Sequence, residues 1–185
     1  MYGLILAGGY SSRMGTDKAF ISHKGELRYR HTARLLDACC TSVYLSCRHE
    51  QEVLFQDIQT IADDPILSDT GPLNGVVQAF RQHPGPWLVL GVDYPLLTSE
   101  DLEQLIQARE KQNPVTAFLT PGTALPEPLL AVYESDCGKL LETCLARGNA
   151  SLRQFILQVG FNAVNARNPD HIQSFDTPES WDRIV

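Results

Sequence analysis

The chain has 185 residues, 43% of them hydrophobic, which suits a single globular domain able to bury a full core. Its formal net charge of -7 and pI near 5.1 exclude a general nucleic-acid surface, which needs clustered Lys and Arg to displace counterions. No run approaches the roughly 18 apolar residues of a membrane span, and residues 1–7 lack a basic leader or signal core, so a soluble cytoplasmic protein without a membrane partner is expected.

The first element is an apolar run, residues 2–6, read as a strand. It empties into Leu6-Ala7-Gly8-Gly9-Tyr10-Ser11-Ser12-Arg13-Met14-Gly15-Thr16-Asp17-Lys18. A strand that runs into a glycine-rich basic loop exposes backbone N–H groups to an anion at the carboxyl edge of a sheet. Glycines at 8, 9 and 15 let the backbone approach a phosphate, and Arg13 and Lys18 bring two cations to it. The spacing is neither Walker A, since Met14 stands five after Gly9, nor G-x-G-x-x-G. On residue types alone, a plain connection with solvated Arg13 and Lys18 stays open.

Residues 27–39 read as an amphipathic helix, 43–45 as a second strand and 58–62 as a third, closed by the Asp63-Asp64-Pro65 turn. Gly71-Pro72 opens the clearest helix, with Leu73, Val76, Val77 and Phe80 on one face and an end near His83. Residues 87–92 form a continuous apolar strand, the pattern of a parallel strand covered on both faces, and end in Asp93-Tyr94-Pro95. Thr98 or Ser99 caps the next helix, with Asp101 completing a capping box.

Residues 115–119 and 129–133 read as strands. Residues 139–147 read as a helix with Leu140, Leu141, Cys144 and Leu145 inward and Gly148 as its stop. Ser151 caps another helix through Leu152, Phe155, Ile156 and Val159; 161–164 and 172–175 read as short strands, and Thr177-Pro178-Glu179 starts a terminal helix. The alternation predicts a doubly wound, mostly parallel α/β sheet with its ligands at the carboxyl ends of the strands.

The five cysteines form no C-x-x-C pair and fit neither a disulfide framework nor a zinc knuckle; the five histidines form no H-x-x-x-H pattern. Carboxylates are more informative. Asp93, at the end of an apolar strand, reads as a metal ligand or as a turn residue before Pro95, and Asp176 as a second ligand or a cap. Magnesium takes one or two carboxylates together with phosphate oxygens and water, which makes a nucleoside triphosphate the natural partner. No G-x-S-x-G supports a serine nucleophile.

Residues 3–9, followed by Ser11, Arg13-Met14-Gly15 and Asp17-Lys18, resemble the signature of the molybdenum cofactor guanylyltransferases of the MobA type, within the nucleotidyltransferase superfamily. Asp64 with Gly71-Pro72-Leu73-Asn74-Gly75, the strand ending at Asp93-Tyr94-Pro95, and Asp176-Thr177-Pro178-Glu179 resemble further elements of that family in the same order. The resemblance implies a three-layer Rossmann-like nucleotidyltransferase fold over 1–185 as a single domain, with a nucleotide-binding N-terminal half and an acceptor-binding C-terminal part. It implies an enzyme that uses Mg2+ to transfer GMP from GTP to the phosphate of molybdopterin, releasing pyrophosphate and giving molybdopterin guanine dinucleotide. Molybdopterin-delivering proteins and molybdoenzymes are the partners it implies.

By the same resemblance Leu6, Ala7 and Gly8 lie along the guanosine, Gly9, Arg13 and Lys18 at the triphosphate, Asp64 and Gly75 at the nucleoside, and Asp93 on Mg2+. Arg153, in Gly148-x-x-Ser151-Leu152-Arg153, is the candidate for the acceptor phosphate. Leu6-Ala7-Gly8-Gly9 in place of L-A-A-G points to GTP over CTP. Gly25-Glu26-Leu27-Arg28 replaces the family's Gly-Lys-Pro-Leu, Ser46-Cys47-Arg48 stands where an Asn commonly follows the second strand, and Asp176 replaces an Asn. These departures leave two other readings open: a same-fold enzyme acting on another acceptor, by cytidylyl transfer or on a sugar phosphate, and a nucleotide-binding protein without turnover.

Overall fold

A computed structural model describes residues 1–7, 17–23, 25–148, 150–175, 177 and 181. The first strand, β1 (Tyr2–Leu6), is buried on both faces, as its unbroken apolar run dictates. A two-stranded hairpin, β2 (Ser22–His23) and β3 (Glu26–Leu27), leads into α1 (Arg28–Asp37), and β4 (Val43–Cys47) and β5 (Gln59–Ala62) follow. The chain continues through α2 (Pro72–Gln82), β6 (Trp87–Gly91), α3 (Ser99–Gln107), β7 (Val115–Leu119), β8 (Pro126–Tyr133), α4 (Cys137–Ala146), α5 (Leu152–Val159) and β9 (Phe161–Val164).

Seven of these strands make one sheet in the order β5-β4-β1-β6-β8-β7-β9, in which β8 alone runs antiparallel to its neighbours. Alternation along β1 divides the core in two. Leu4 and Leu6 join Leu73, Val76, Val77 and Phe80 of α2 together with apolar residues of α4 and α5. On the opposite face Ile5 and Ala7 join Leu35 and Leu36 of α1 and Leu102 and Leu105 of α3. The result is three layers, with β1 at the point where the strand order reverses and the ligand crevice of such sheets opens.

Local signals account for the elements. Pro72 occupies the first turn of α2, whose four anticipated apolar side chains are buried and contribute about 1.5–3 kcal/mol each. Thr98 accepts from the Asp101 N–H while the Asp101 carboxylate accepts from the Thr98 N–H, closing the capping box of α3. Gly148 follows α4 with φ +74, where a Cβ would be strained. All five cysteines are free.

Two expectations are corrected. Residues 172–175 are not a strand: Pro169–Ile172 is a 3-10 turn capped by Asn168, whose side chain accepts from the Asp170 N–H, and the Gln173 N–H closes the turn by donating to the Asp170 carbonyl. Leu140 is exposed, because Cys137, Leu141 and Cys144 already form the buried stripe of α4. Among the described residues no helix is long and apolar enough to cross a membrane.

Candidate active site at the carboxyl edge of the sheet

The registers of β4, β1 and β6 set Leu6 opposite both Ser46 and Gly91, so the ends of three parallel strands stand in one row. Ala7 leaves β1 with its N–H donating to the Ser46 carbonyl at 3.0 Å. Gly8, Gly9 and Arg13 lie outside the described residues, as does Asp176. The chain resumes at Asp17, whose carboxylate accepts from the Ala19 N–H at 3.1 Å and from Nε2 of buried Gln51. The Gln51 Oε1 in turn accepts from the Arg48 N–H at 3.0 Å. Both described residues that bound the glycine-rich stretch are therefore anchored to the end of β4 or the turn beyond it. Lys18 comes next, opening a single 3-10 turn, Lys18–Phe20.

The G-P-L-N-G stretch builds the neighbouring wall. Gly71 adopts φ +54 and ψ -133, a conformation that favours glycine, immediately before Pro72. The Asn74 amide, buried in α2, donates to the Asp64 carbonyl and accepts from the Asp64 N–H, each at 2.9 Å. Gly75 lets α2 lie against the sheet: a Cβ there would stand 2.1 Å from Ser46 Oγ and 2.7 Å from Leu6 Cδ2. Its place is thus one of close packing directly under Leu6 and Ser46.

The two aspartates after β5 diverge. The Asp64 carboxylate accepts from the Ile66 N–H at 2.9 Å and faces Arg81 at 3.6 Å. Asp63, which the sequence did not single out, accepts from Ser46 Oγ at 2.9 Å, and burial holds its carboxyl above the usual range against the pull of that hydrogen bond and of Arg48. Asp63 therefore belongs to the row with Ser46 and Leu6.

Asp93 lies two residues beyond Gly91. A Cβ on Gly91 would meet Asp93 Oδ1 at 2.4 Å, so the carboxylate folds back over a space that only glycine leaves. Its backbone carbonyl accepts from the Phe175 N–H at 2.8 Å. Nearby Arg28, 1% exposed, donates from Nε to the Val92 carbonyl at 3.3 Å. Burial pushes the Arg28 guanidinium down to about 10, and the charges of Asp93 and Glu26 oppose that shift.

Among the described residues no three His, Cys, Asp or Glu side chains gather as a metal cluster. A cation at Asp93 would accordingly draw on that carboxylate, on ligand oxygens and on water, which is the donor set Mg2+ takes with a triphosphate. The cradle over Gly91 and the hard oxygen donor fit such an ion. Arg153 stands at the start of β8, donating from Nε to the Pro126 carbonyl at 3.1 Å with Nη2 3.5 Å from Glu127. The antiparallel course of β8 brings this residue to the same edge as the end of β6.

A Rossmann-like sheet with a cradled aspartate beyond β6, in a chain whose sequence runs from β1 through a glycine-rich stretch to a lysine, has the architecture of a nucleotidyltransferase. The MobA-like NTP transferase domain matches residues 3–163, and the chain belongs to that family. It is 32% identical over 187 residues to the "Molybdenum cofactor biosynthesis bifunctional protein" of Synechocystis sp., a match that covers 100% of this chain and 53% of that protein. The chain thus spans about half the length of that relative. It is 28% identical over 187 residues to the "Probable molybdenum cofactor guanylyltransferase" of Synechococcus elongatus, covering 98% of this chain and 96% of the relative. The crystal structure of molybdopterin-guanine dinucleotide biosynthesis protein A from Archaeoglobus fulgidus superposes with a TM-score of 0.79 at 22% identity, over 100% of this chain and 96% of that one, and shows the shared fold.

Proposed function

We propose that this chain transfers GMP from GTP to the terminal phosphate of molybdopterin, forming molybdopterin guanine dinucleotide and pyrophosphate. The observation that carries the reading is the single row of Leu6, Ser46 and Gly91, which lines up the loop entry, Asp63 and Asp93 along one edge. In the reaction a molybdopterin phosphate oxygen bonds to the α-phosphorus, and the bond from that phosphorus to the α,β-bridging oxygen breaks. The electron pair leaves with pyrophosphate. The nucleophile is already anionic at neutral pH, so no general base is required, and positioning and charge neutralisation supply the rate.

The residues divide this work. Leu6, Ala7 and Gly8 lie along the guanosine, while Gly9, Arg13 and Lys18 receive the triphosphate and stabilise charge passing to the leaving group. Asp63 offers a carboxylate to the N1–H and amino group of guanine, an edge that presents two adjacent donors. Asp64 and Gly75 shape that side of the pocket through the Asn74 clamp and the close approach of α2. Asp93, with Asp176, would hold Mg2+, which would supply polarisation of the α-phosphate and spread the negative charge of pyrophosphate. Arg153 takes the acceptor phosphate. The N-terminal half is in this reading the nucleotide side and the C-terminal part the acceptor side; molybdopterin-delivering proteins and molybdoenzymes are the partners.

The test is pyrophosphate release with Mg2+ and each of GTP, CTP, ATP and UTP, with and without molybdopterin. Release that needs GTP and molybdopterin together is expected, and Asp93→Ala should abolish it while the fold is retained. Binding of GTP without turnover on molybdopterin would transfer the enzyme to another acceptor.

A further inference from the structure

Arg28 is the first residue of α1, its N–H donating to the Ile21 carbonyl at 3.0 Å, and its side chain turns away from the helix into the interior. A buried guanidinium is a costly choice where a Leu or Met would fill similar space, and here the cost is only partly offset by hydrogen bonds. Nε has the Val92 carbonyl, whereas Nη2 is sealed from solvent and meets no acceptor among the described residues. What surrounds the group explains its retention. Its Cζ lies 5.4 Å from the centroid of the Trp181 ring, a cation–π distance. The Trp181 indole N–H donates to the Phe175 carbonyl at 2.9 Å, and the two rings are 5.8 Å apart. The Phe175 N–H donates to the Asp93 carbonyl. Contacts thus run from Arg28 to Val92, along the chain to Asp93, across to Phe175, on to Trp181 and back to Arg28.

We infer that Arg28 is a positioning residue of this site: with Phe175 and Trp181 it grips the two consecutive carbonyls of Val92 and Asp93, and so fixes the direction in which the Asp93 carboxylate is presented. The inference rests on the reading of Asp93 as the metal ligand. Its physical basis is that β6 ends at Gly91, so neither carbonyl beyond it is held by the sheet ladder. The ring of contacts adds its hold to the turn that carries the carboxylate. A displacement of about 1 Å there is enough to cost on the order of a hundredfold in rate.

The test compares wild type, Arg28→Met, Arg28→Lys and Asp93→Ala in the complete chain, by steady-state kinetics with GTP and Mg2+ and by hydrogen exchange at the Phe175 amide. Arg28→Met keeps the volume and loses the charge and the donor. It should lower kcat about tenfold or more with KM for GTP within about twofold, and should speed exchange at Phe175 about tenfold while exchange in β6 stays slow. Arg28→Lys, which keeps a cation for Trp181 and a donor for the Val92 carbonyl, should recover part of both losses. Should Arg28→Met fail to fold, Trp181→Leu opens the same ring from its other side and is expected to give the same pattern. A folded Arg28→Met or Trp181→Leu protein with wild-type kcat and wild-type protection at Phe175 would overturn the inference. An Asp93→Ala enzyme that turns over normally would instead remove the metal-ligand reading on which it stands.

Discussion

The hydroxyl of Ser46 occupies the space that a side chain on Gly75 would need: a Cβ there would lie 2.1 Å from Oγ and 2.9 Å from the serine Cβ. Helix α2 therefore touches the end of β4 through bare backbone, and the same contact turns the Ser46 hydroxyl to Asp63. Gly75→Ala should destabilise the protein by about 1–3 kcal/mol through overpacking. Combining it with Ser46→Gly should restore part of the loss and no more, since Leu6 Cδ2 at 2.7 Å remains in the way. Urea midpoints of the single and double variants measure this coupling.

Gly91 and Asp93 predict a different balance. The atom that a Cβ on Gly91 would strike is the end of the Asp93 carboxylate, with Leu129 and Tyr94 side-chain atoms at 3.2 Å, a tight contact from which each must give by a few tenths of an ångström. Gly91→Ala should therefore cost little stability, about 1 kcal/mol, while pushing the carboxylate off its position. The expected result is a kcat lowered about tenfold or more and a higher Mg2+ requirement, at a nearly unchanged thermal midpoint. Turnover at the wild-type rate and the wild-type Mg2+ concentration would show that Asp93 works equally well displaced.

The parts of this architecture written in local pattern were legible before the fold. Pro72 with its four apolar partners, the unbroken run of β6, the Thr98–Asp101 box and Gly148 each carry their conformational reason within a few residues. The parts that depend on distant neighbours were not. Gln51 and Asn74 are amides in a turn and a helix, and only the fold brings them to Asp17 and to the backbone of Asp64. Arg28 stood out in the sequence only within Gly25-Glu26-Leu27-Arg28, at the start of an expected amphipathic helix, yet it is among the largest fully buried side chains. Adjacent residues at a strand end point to opposite sides, so nothing in the sequence said which of Asp63 and Asp64 meets Ser46. Ile172 and Phe175 are apolar at a spacing that a turn satisfies as well as a strand does.

Stability and catalysis should separate at the opposite edge. Arg109, just beyond α3, meets Glu134, just beyond β8, through two hydrogen bonds of 2.5 and 2.7 Å, with side chains 18% and 12% exposed. Since Tyr133 pairs with Trp87 at the start of β6, this ion pair is remote from Asp93. Removing the cation leaves a largely buried carboxylate without its partner, so Arg109→Met should cost about 2–3 kcal/mol. Glu134→Gln should cost less, because a neutral acceptor stays in place. Denaturant midpoints should fall in that order with kcat and KM unchanged at temperatures where each variant is folded; a loss of kcat in folded Arg109→Met would show that the two edges are coupled.

Asp63 sets stability against recognition. Burial holds its carboxyl above the 3.8 of a free aspartate, so the folded chain binds this proton more tightly than the unfolded chain does. Stability is then undiminished below the unfolded value, declines as pH rises through the interval between unfolded and folded values, and carries the full cost above it. Asparagine pays no such cost and still offers Oδ1 to the Ser46 hydroxyl. Asp63→Asn should accordingly melt higher than wild type at neutral pH, and the advantage should close as pH approaches about 4. For catalysis the sign reverses. An amide cannot accept from both donors of the guanine edge as a carboxylate can, so KM for GTP should rise about tenfold or more and preference over the other triphosphates should shrink. Thermal midpoints across that pH range, together with KM for GTP and CTP at neutral pH, measure both effects. An Asp63→Asn protein no more stable than wild type at neutral pH would mean that the carboxylate is well solvated in the fold. One that keeps full discrimination for GTP would place guanine recognition elsewhere along the edge.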